Sequence, residues 1–498
     1  MQLNILGGSF KSRYVDVNNQ RSINWYPVLS DQIEQNTNQM TMWPTPGLGS
    51  FVNITGRYGR GSITARTTKY TRCFVVVDQT LWEVTTNRTA INRGVMTNLA
   101  IGSSQCTLKV NGNQEVGIFG FTAGYVFNMD TNTLTQITDA DYPGNVTFAD
   151  YVDGFGFVNI GAGTLQGFVM FTDANSFLNW TGSHVYHPTF KAAGTIATVA
   201  FRDKVFNFSA ETIEPYYEDG SSAVWSRFPG SILYTGALNA KVISVYDEGI
   251  IFLSNSNFGE AHVYLLTSEL QNLTSISAKD SGVQSRINQN TDYLQEAYSF
   301  IQKTKDGHII YYLTIPQLNT TFCYDVSTGE WYERKSLKPS TDSDGSQQFS
   351  VFRGINYCNF NGWNLFQDLY TGNLLFEDIT SVTEVGTSIK RDRTSQTFIQ
   401  EMKNISNECF ELDATKGPGT LDPGQGNNPV IQLEVSIDGG HTYGQPRYML
   451  LGQLGNYLYR ARLQTLGTGR MWVLRLILTD PVDIVLINAW ATGQVGTY

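Results

Sequence analysis

The chain has 498 residues, more than one ordinary hydrophobic core organises, so two or three domains are expected. Charged residues make up 16%, well under the roughly 25% of typical globular domains, while 47 glycines, 14 prolines and 13% aromatics favour an all-β protein with tight hairpins. A net charge of -10 argues against a protein that adheres electrostatically to nucleic acid, though not against one that DNA must slide past.

The opening MQLNILGGSF has neither a charged n-region nor an apolar h-region, so no secretory leader is expected. No run of 18 apolar residues is present, so no membrane-spanning helix is expected. The five cysteines, Cys73, Cys106, Cys323, Cys358 and Cys409, are scattered and form no CxxC pair. They read as buried free thiols in a reducing compartment rather than as a zinc site or a disulfide framework. The Asn179 and Asn319 sequons are accidental on that reading.

Residues 1–50 are expected to form an extended N-terminal arm. The segment RSINWYPV at 21–28 could make one strand. TMWPTPGLG at 41–49 is not expected to continue one, because Pro44 and Pro46 remove backbone donors and Pro46-Gly47 favours a turn. From about residue 57 a unit of β-rich runs recurs. Its clearest copy is DGHIIYYLTIPQLNTTFCYDVSTGEWYER at 306–334, three strands joined by tight turns with Trp331 on the outermost. Further copies occupy 62–94, 106–137, 146–182, 197–230, 242–278 and, in partial form, 351–379. Asp153-Gly154, Asp306-Gly307 and Asn361-Gly362, and the triplet Asp247-Glu248-Gly249, sit between the first two strands of several copies, where hairpins require positive φ.

Repeats of about 40–60 residues, each a four-stranded antiparallel sheet, are the signature of a β-propeller. Six or seven degenerate blades are expected over 51–383. The seventh copy shows no obvious fourth strand, so either the N-terminal arm supplies one or the copy leads into the next domain. Leu294, Ala297, Tyr298 and Ile301 recur at helical spacing, which suggests a short helix at 293–303. After residue 383 come a small basic cluster (Lys390, Arg391, Arg393), a Gly/Pro-rich loop at 415–429, and apolar runs such as VIQLEVSID and MWVLRLILT. Residues 384–498 are therefore expected to form a separate β-sandwich-like domain.

Few motifs carry chemistry. SIDGGHTY at 436–443 fits the Asp-box hairpin, with Ser436, Asp438, Gly440, Thr442 and Tyr443 in its key positions. Its mechanics are structural: the Asp and hydroxyl groups bond the backbone of a tight turn. A sialidase-type active site would need several such boxes, an arginine cluster and a tyrosine nucleophile, and only one box is present, outside the repeats. His184 and His187 lack a nearby carboxylate or thiol in sequence and read as strand or loop residues rather than metal ligands. Asp342-Ser343-Asp344-Gly345 starts like a calcium loop, but Arg353 stands where the twelfth-position Glu should be. No P-loop, GxSxG or HExxH is present. No cofactor and no catalytic residue is expected.

Arg57, Arg60, Arg66, Lys69 and Arg72 form a stretch without acidic residues. Strand alternation divides such side chains between two faces, so a solvated face is preferred to a phosphate or partner contact. The contact reading is kept for Arg57, Arg60, Arg66 and Lys69.

Taken together, the Asn24-Trp25-Tyr26-Pro27 strand, the Pro44-Thr45-Pro46-Gly47-Leu48 turn, the degenerate repeats, the 436–443 box, and Gly455, Arg460, Leu466-Gly467, Arg470 and Trp472 resemble one family. It is that of the tail-nozzle, or packaged DNA stabilisation, proteins of short-tailed phages. The resemblance implies a virion tail protein made in the host cytoplasm and not an enzyme. It implies a homohexameric ring below the portal and its head-to-tail adaptor, which extends the channel for genomic double-stranded DNA. Such a ring retains the genome and docks tail fibres or tailspikes. Two other readings exist: a glycan-binding or glycan-hydrolysing propeller, motivated by the Asp box, and a kelch-like scaffold, motivated by YDVSTGEW at 324–331.

Overall fold

The computed structural model describes the chain except residues 1, 4, 13, 16–17, 30–39, 189, 192–193, 221–224, 256–259, 268–272, 279–280, 340–347, 402, 422 and 497–498. The aspartates of the calcium-like segment, Asp342 and Asp344, lie outside the described residues.

Two-residue turns build the repeats. Asp153 and Gly154 (φ 49° and 88°) join Val146–Val152 to Phe155–Ile160, and Asn361 and Gly362 (φ 48° and 79°) join Gly354–Phe360 to Trp363–Asp368. Positive φ at both central positions gives the turn whose twist matches the flanking strands. Inner strands such as Glu115–Phe119 and Gly249–Leu253 are buried along their whole length, because sheets cover both of their faces. The fourth strand Thr133–Gln136 alternates between exposed and half-buried, as expected at the rim.

Among the described residues, seven four-stranded antiparallel blades follow in chain order. Blade 1 runs from Gly59–Arg66 to Ala90–Val95, and blades 2 to 5 start at Thr107–Val110, Val146–Val152, Ala197–Phe201 and Ile243–Tyr246. Blade 6 comprises Tyr298–Lys303, Ile309–Ile315, Thr320–Asp325 and Glu330–Leu337. Blade 7 takes Gly354–Phe360, Trp363–Asp368 and Leu374–Asp378 from the last repeat and its fourth strand, Gly47–Val52, from the N-terminal segment. The first strands of neighbouring blades, those of blades 4 and 5 apart, lie side by side around the centre.

Every pair of adjacent blades, including the last and the first, shares an apolar cluster. Phe74 meets Phe127 across blades 1 and 2, with ring centroids 5.2 Å apart, and Phe208 meets Phe252 across blades 4 and 5 at the same separation. Phe157 packs edge-on against Trp225 at 4.9 Å between blades 3 and 4. Cys73 and Val75 of blade 1 pack with Cys358 and Leu365 of blade 7, which closes the ring. A lone four-stranded sheet cannot bury both faces, and the closed ring solves that for all seven.

The C-terminal unit is a β-sandwich. One sheet has the order Trp25–Leu29, Met40–Pro44, Leu486–Val495, Ile405–Ala414, Ala461–Gly469, with Gln2–Leu3 also paired to Leu486–Val495. The other runs Arg21–Ile23, Arg391–Thr394, Met471–Leu478, Val430–Ser436, Arg447–Leu450. Trp25, Met42, Phe410, Leu433, Trp472 and Leu486 fill the space between them. The second sheet does not stop at the sandwich. Ile23 pairs in parallel with Glu333, so blade 6 and the sandwich form one continuous eleven-stranded sheet.

The N-terminal segment therefore differs from a free arm leading into repeats: it is shared among blade 7 and both sandwich sheets. The expectation that 41–49 holds no strand is also corrected. Pro44 occupies the last position of its strand and Pro46 falls in the turn, so neither removes a donor that a ladder needs. The helix expected at 293–303 is a 3-10 turn, Thr291–Glu296, followed by strand Tyr298–Lys303. A short α-helix lies earlier, at Ser281–Asn288, between blades 5 and 6.

Candidate functional site

Four places were candidates from the residues or emerge from the fold: the Asp-box turn, the basic stretch, the mouth of the propeller channel, and the joint between blade 6 and the sandwich.

The Asp-box turn follows Val430–Ser436. Ser436 Oγ donates to Asp438 Oδ1 at 2.6 Å and accepts from the Gly440 N–H at 2.8 Å. The Thr442 N–H donates to both Asp438 oxygens at 3.0 and 3.1 Å. These bonds from Ser436 and Thr442 hold the Asp438 carboxyl well below the usual carboxylate range. The carboxylate is thus spent on its own turn. Gly440 has φ +94°, and a Cβ there would collide with Asn19 Nδ2. Asn19, from the N-terminal segment, donates to the Gly439 carbonyl. The turn is a seat for residues that precede blade 1 by forty positions. Tyr443 lines the adjoining cleft with Lys11, Arg21, Asp392 and Arg475, and burial raises its phenol.

The basic stretch does not gather into one patch. Arg60 is buried, donating to the carbonyls of Asp78, Ala100 and Ser104 at 2.6 to 2.9 Å, and so ties blade 1 to the segment entering blade 2. Arg72 is held by Glu83 and by the Met129 carbonyl. Arg57, beside the Tyr58 ring, precedes strand Gly59–Arg66, whereas Arg66 and Lys69 stand at its far end. An eight-residue strand spans roughly 25 Å, so Arg57 lies on the opposite rim from the other two. Arg66 donates to the Asn359 carbonyl at 3.2 Å, and Lys69 pairs with Asp130 at 3.2 Å.

The segments that lead into the first strands of blades 2 to 5 surround a cavity of about 710 Å³. Gln105, Thr147, Gln166, Thr195, Asn239 and Lys241 line it beside Phe121, Val146 and Ile196. His187 reaches this wall and packs on Phe168, whereas His184 stacks on Phe171 and approaches Asp173 at 3.2 Å. No group of His, Cys, Asp or Glu among the described residues is arranged to hold a metal.

The joint carries the densest buried charge. Glu333, on the outer strand of blade 6, is fully buried. It accepts two bonds from Arg21 at 2.9 Å and one from Arg286 Nη1 at 2.6 Å. Burial alone would raise its carboxyl, but Arg21 and Arg286 outweigh burial and hold it well below the usual range. Asn24, in the left-handed region (φ 59°), donates to the Lys335 and Lys390 carbonyls at 2.8 Å and accepts from the Lys335 N–H at 2.9 Å. Its amide completes the ladder between blade 6 and the sandwich, and Asn tolerates this conformation better than most residues. Arg393 donates to the carbonyls of Ile5 and Gly8, and Arg475 pairs with Asp392 and Glu434. Arg334 reaches the Pro46 carbonyl at 2.8 Å and stacks over Phe352. The basic cluster at 390–393 thus contributes two buried arginines to the joint, not a surface patch. Glu333 and Arg286 carry no local motif and went unseen in the sequence, and Asn24 was read there only as part of the Asn24-Trp25-Tyr26-Pro27 strand.

Residues 1–377 match the family model described as bacteriophage P22 Gp10, beta-propeller, and residues 392–494 match the one described as bacteriophage P22 Gp10, beta-sandwich. No curated protein matches the chain. Among solved structures, it is similar to PorZ of the type-IX secretion system of Porphyromonas gingivalis, with 11% identity and a TM-score of 0.36 over 70% of this chain and 42% of that one. It is also similar to the Pan2 WD40 domain of Neurospora crassa, with 7% identity and a TM-score of 0.38 over 67% of this chain and 94% of that one.

Proposed function

The chain belongs to the bacteriophage P22 Gp10 family, which makes it a structural protein of a phage tail, and from that premise we propose that it forms the nozzle of the tail. On this reading copies assemble as a six-fold ring below the portal and the head-to-tail adaptor. The ring prolongs the DNA channel, helps to retain the genome, and gives tail fibres or tailspikes a docking surface.

The observation that carries the reading is the welding of propeller to sandwich. A continuous sheet, a Glu333–Arg21–Arg286 cluster centred on a buried carboxylate and an N-terminal segment threaded through both units leave no free linker between them among the described residues. Such a unit transmits load instead of hinging, which suits a wall under internal pressure. The net charge of -10 supports passage of DNA over adhesion to it. The Asp-box carboxylate, bonded within its own turn, gives the glycan-hydrolase reading no support.

A genome-retention assay tests the proposal. DNA-filled heads that lack this protein are incubated with or without the purified chain and then challenged with nuclease. Protection that requires the chain is the expected result. Absence of both protection and co-sedimentation with heads would overturn the nozzle reading.

A further inference from the structure

Ring closure places two thiols face to face. Cys73 lies on Thr71–Val77 of blade 1 and Cys358 on Gly354–Phe360 of blade 7, 285 positions apart, with their sulfurs 3.9 Å from each other. Both are buried in the apolar cluster of that seam, and both are free. The sulfur–sulfur hydrogen bond raises the Cys73 thiol and lowers that of Cys358, which Ser62 and Thr64 lower further. The remaining cysteines lie elsewhere: Cys106 between blades 1 and 2, Cys323 within blade 6, Cys409 in the sandwich.

The seam itself has no covalent fastening. Blade 7 is completed by Gly47–Val52, and that strand is held to Leu374–Asp378 by ladder hydrogen bonds and by the packing of Leu48, Phe51 and Val52 against Leu374 and Leu375. The chain leaves it directly for blade 1, so the first and last blades are held together by that ladder, by the apolar cluster of the seam and by side-chain bonds such as Gln367 to the Val76 carbonyl, all of them noncovalent. We propose that Cys73 and Cys358 are a peroxide-oxidisable pair whose disulfide seals blade 7 to blade 1. The link would close a covalent circle running through every intervening blade.

The chemistry balances with hydrogen peroxide as oxidant, a molecule small enough to reach a buried seam through local opening. The Cys358 thiolate attacks one peroxide oxygen, the O–O bond breaks, and sulfenic acid and hydroxide form, the hydroxide taking up the proton that the thiol had released to give water. Cys73 sulfur then attacks the sulfenic sulfur, its proton leaves with the departing hydroxide as a second water, and the S–S bond forms. Each sulfur must move by roughly 1 Å to reach bonding distance, within the range of a side-chain rotation. The thiols stay reduced in a reducing compartment and become oxidisable outside it.

The full chain, with and without hydrogen peroxide, is digested without reduction and mapped by mass spectrometry. The expected result is a linked pair of peptides carrying Cys73 and Cys358, lighter by two hydrogens, together with a rise in Tm that dithiothreitol reverses. Cys358→Ala should abolish both. Cys73→Ala should stop at a Cys358 sulfenic acid that dimedone traps. The wild-type map stands even where a variant folds poorly. Unreacted thiols in the native chain under conditions that oxidise it in urea would overturn the proposal, as would linkage through other cysteines. A link with no rise in Tm would equally overturn the sealing role.

Discussion

The seam between blades 4 and 5 and the joint between blade 6 and the sandwich both bury sheet surface, with opposite chemistry. At the seam, Val199, Phe206, Phe208, Ile213, Ile250, Phe252 and Leu266 meet as an apolar layer. Such a contact is tolerant: any well-shaped hydrophobic set would serve, and the blades could be exchanged for variants of similar volume. At the joint, Glu333, Arg21 and Arg286 meet with Arg393, Arg475 and Asp392 close by. Removing these ions from water is costly, and their geometry must be right to offset the cost. The repeated contact makes the ring, and the unrepeated one fixes a single orientation of the sandwich on it.

That contrast can be broken most directly at Glu333. Replacing Glu333 by Ala leaves Arg21 and Arg286, both half-buried, without their shared partner. A loss of about 3 kcal/mol, the lower end for broken buried pairs because water still reaches both guanidinium groups, is expected, read as a lower urea midpoint. Hydrogen exchange should show Arg21–Ile23 and Arg391–Thr394 losing protection while blades 2 to 4 keep theirs. If the blades lose protection together with these strands, joint and ring are one cooperative unit and the contrast fails.

Acid should act on the joint in the same direction and by a smaller step. The folded Glu333 carboxyl sits below its unfolded value. Its stabilisation is therefore complete above the ordinary carboxylate range, about 4.3, and is lost as pH falls from there through the depressed folded value. Burial raises Glu330 and Glu384, so their contribution runs the opposite way. Comparison with Glu333→Gln isolates the wanted part: the variant should show a flatter acid limb. An unchanged limb would mean that Glu333 does not govern the joint.

At the seam the expected response is slight. Ile250→Val removes one methylene from a fully buried position, and such truncations cost about 0.5–1.5 kcal/mol. The midpoint should move little and the pH profile not at all. A loss as large as that of Glu333→Ala would show that the blade packing is no more tolerant than the joint.

The same contrast explains what the sequence revealed. Blades are written locally: continuous apolar runs for inner strands, alternation at Thr133–Gln136, and Asp153-Gly154 or Asn361-Gly362 at the turns. Those signals lie within a few residues of one another, so the repeats were legible while the count stayed at six or seven. Closure was legible only as one of two alternatives, a fourth strand supplied by the N-terminal arm, because that strand is Gly47–Val52, behind two prolines and more than three hundred residues before its partner. The joint was hidden for a different reason. Arg21, Arg286 and Glu333 each look like ordinary surface charges, and only the fold brings them together. Charge alone also misled at Arg60, where a guanidinium that seemed free for phosphate is occupied by three carbonyls. The Asp box was legible because its spacing encodes its own hydrogen bonds, yet nothing in 436–443 announces Asn19.

That last contact supplies the gentlest probe of how the N-terminal segment is held. Asp438 is half-buried and Thr442 exposed, so the bonds between them compete with water and removal of the carboxylate should leave the global midpoint nearly unmoved. The local effect should be clear. Asp438→Ala frees the Thr442 N–H and loosens the turn that presents the Gly439 carbonyl to Asn19. Faster exchange is expected at Gly440 and Thr442, followed by weaker protection where Phe10 N–H bonds the Gln20 carbonyl. If only the turn responds, Asn19 is a passenger, and the segment is held by the arginines of the joint alone. A response at both places would mean that the Asp box, a motif usually read for its own hairpin, anchors the part of the chain that ties sandwich to propeller.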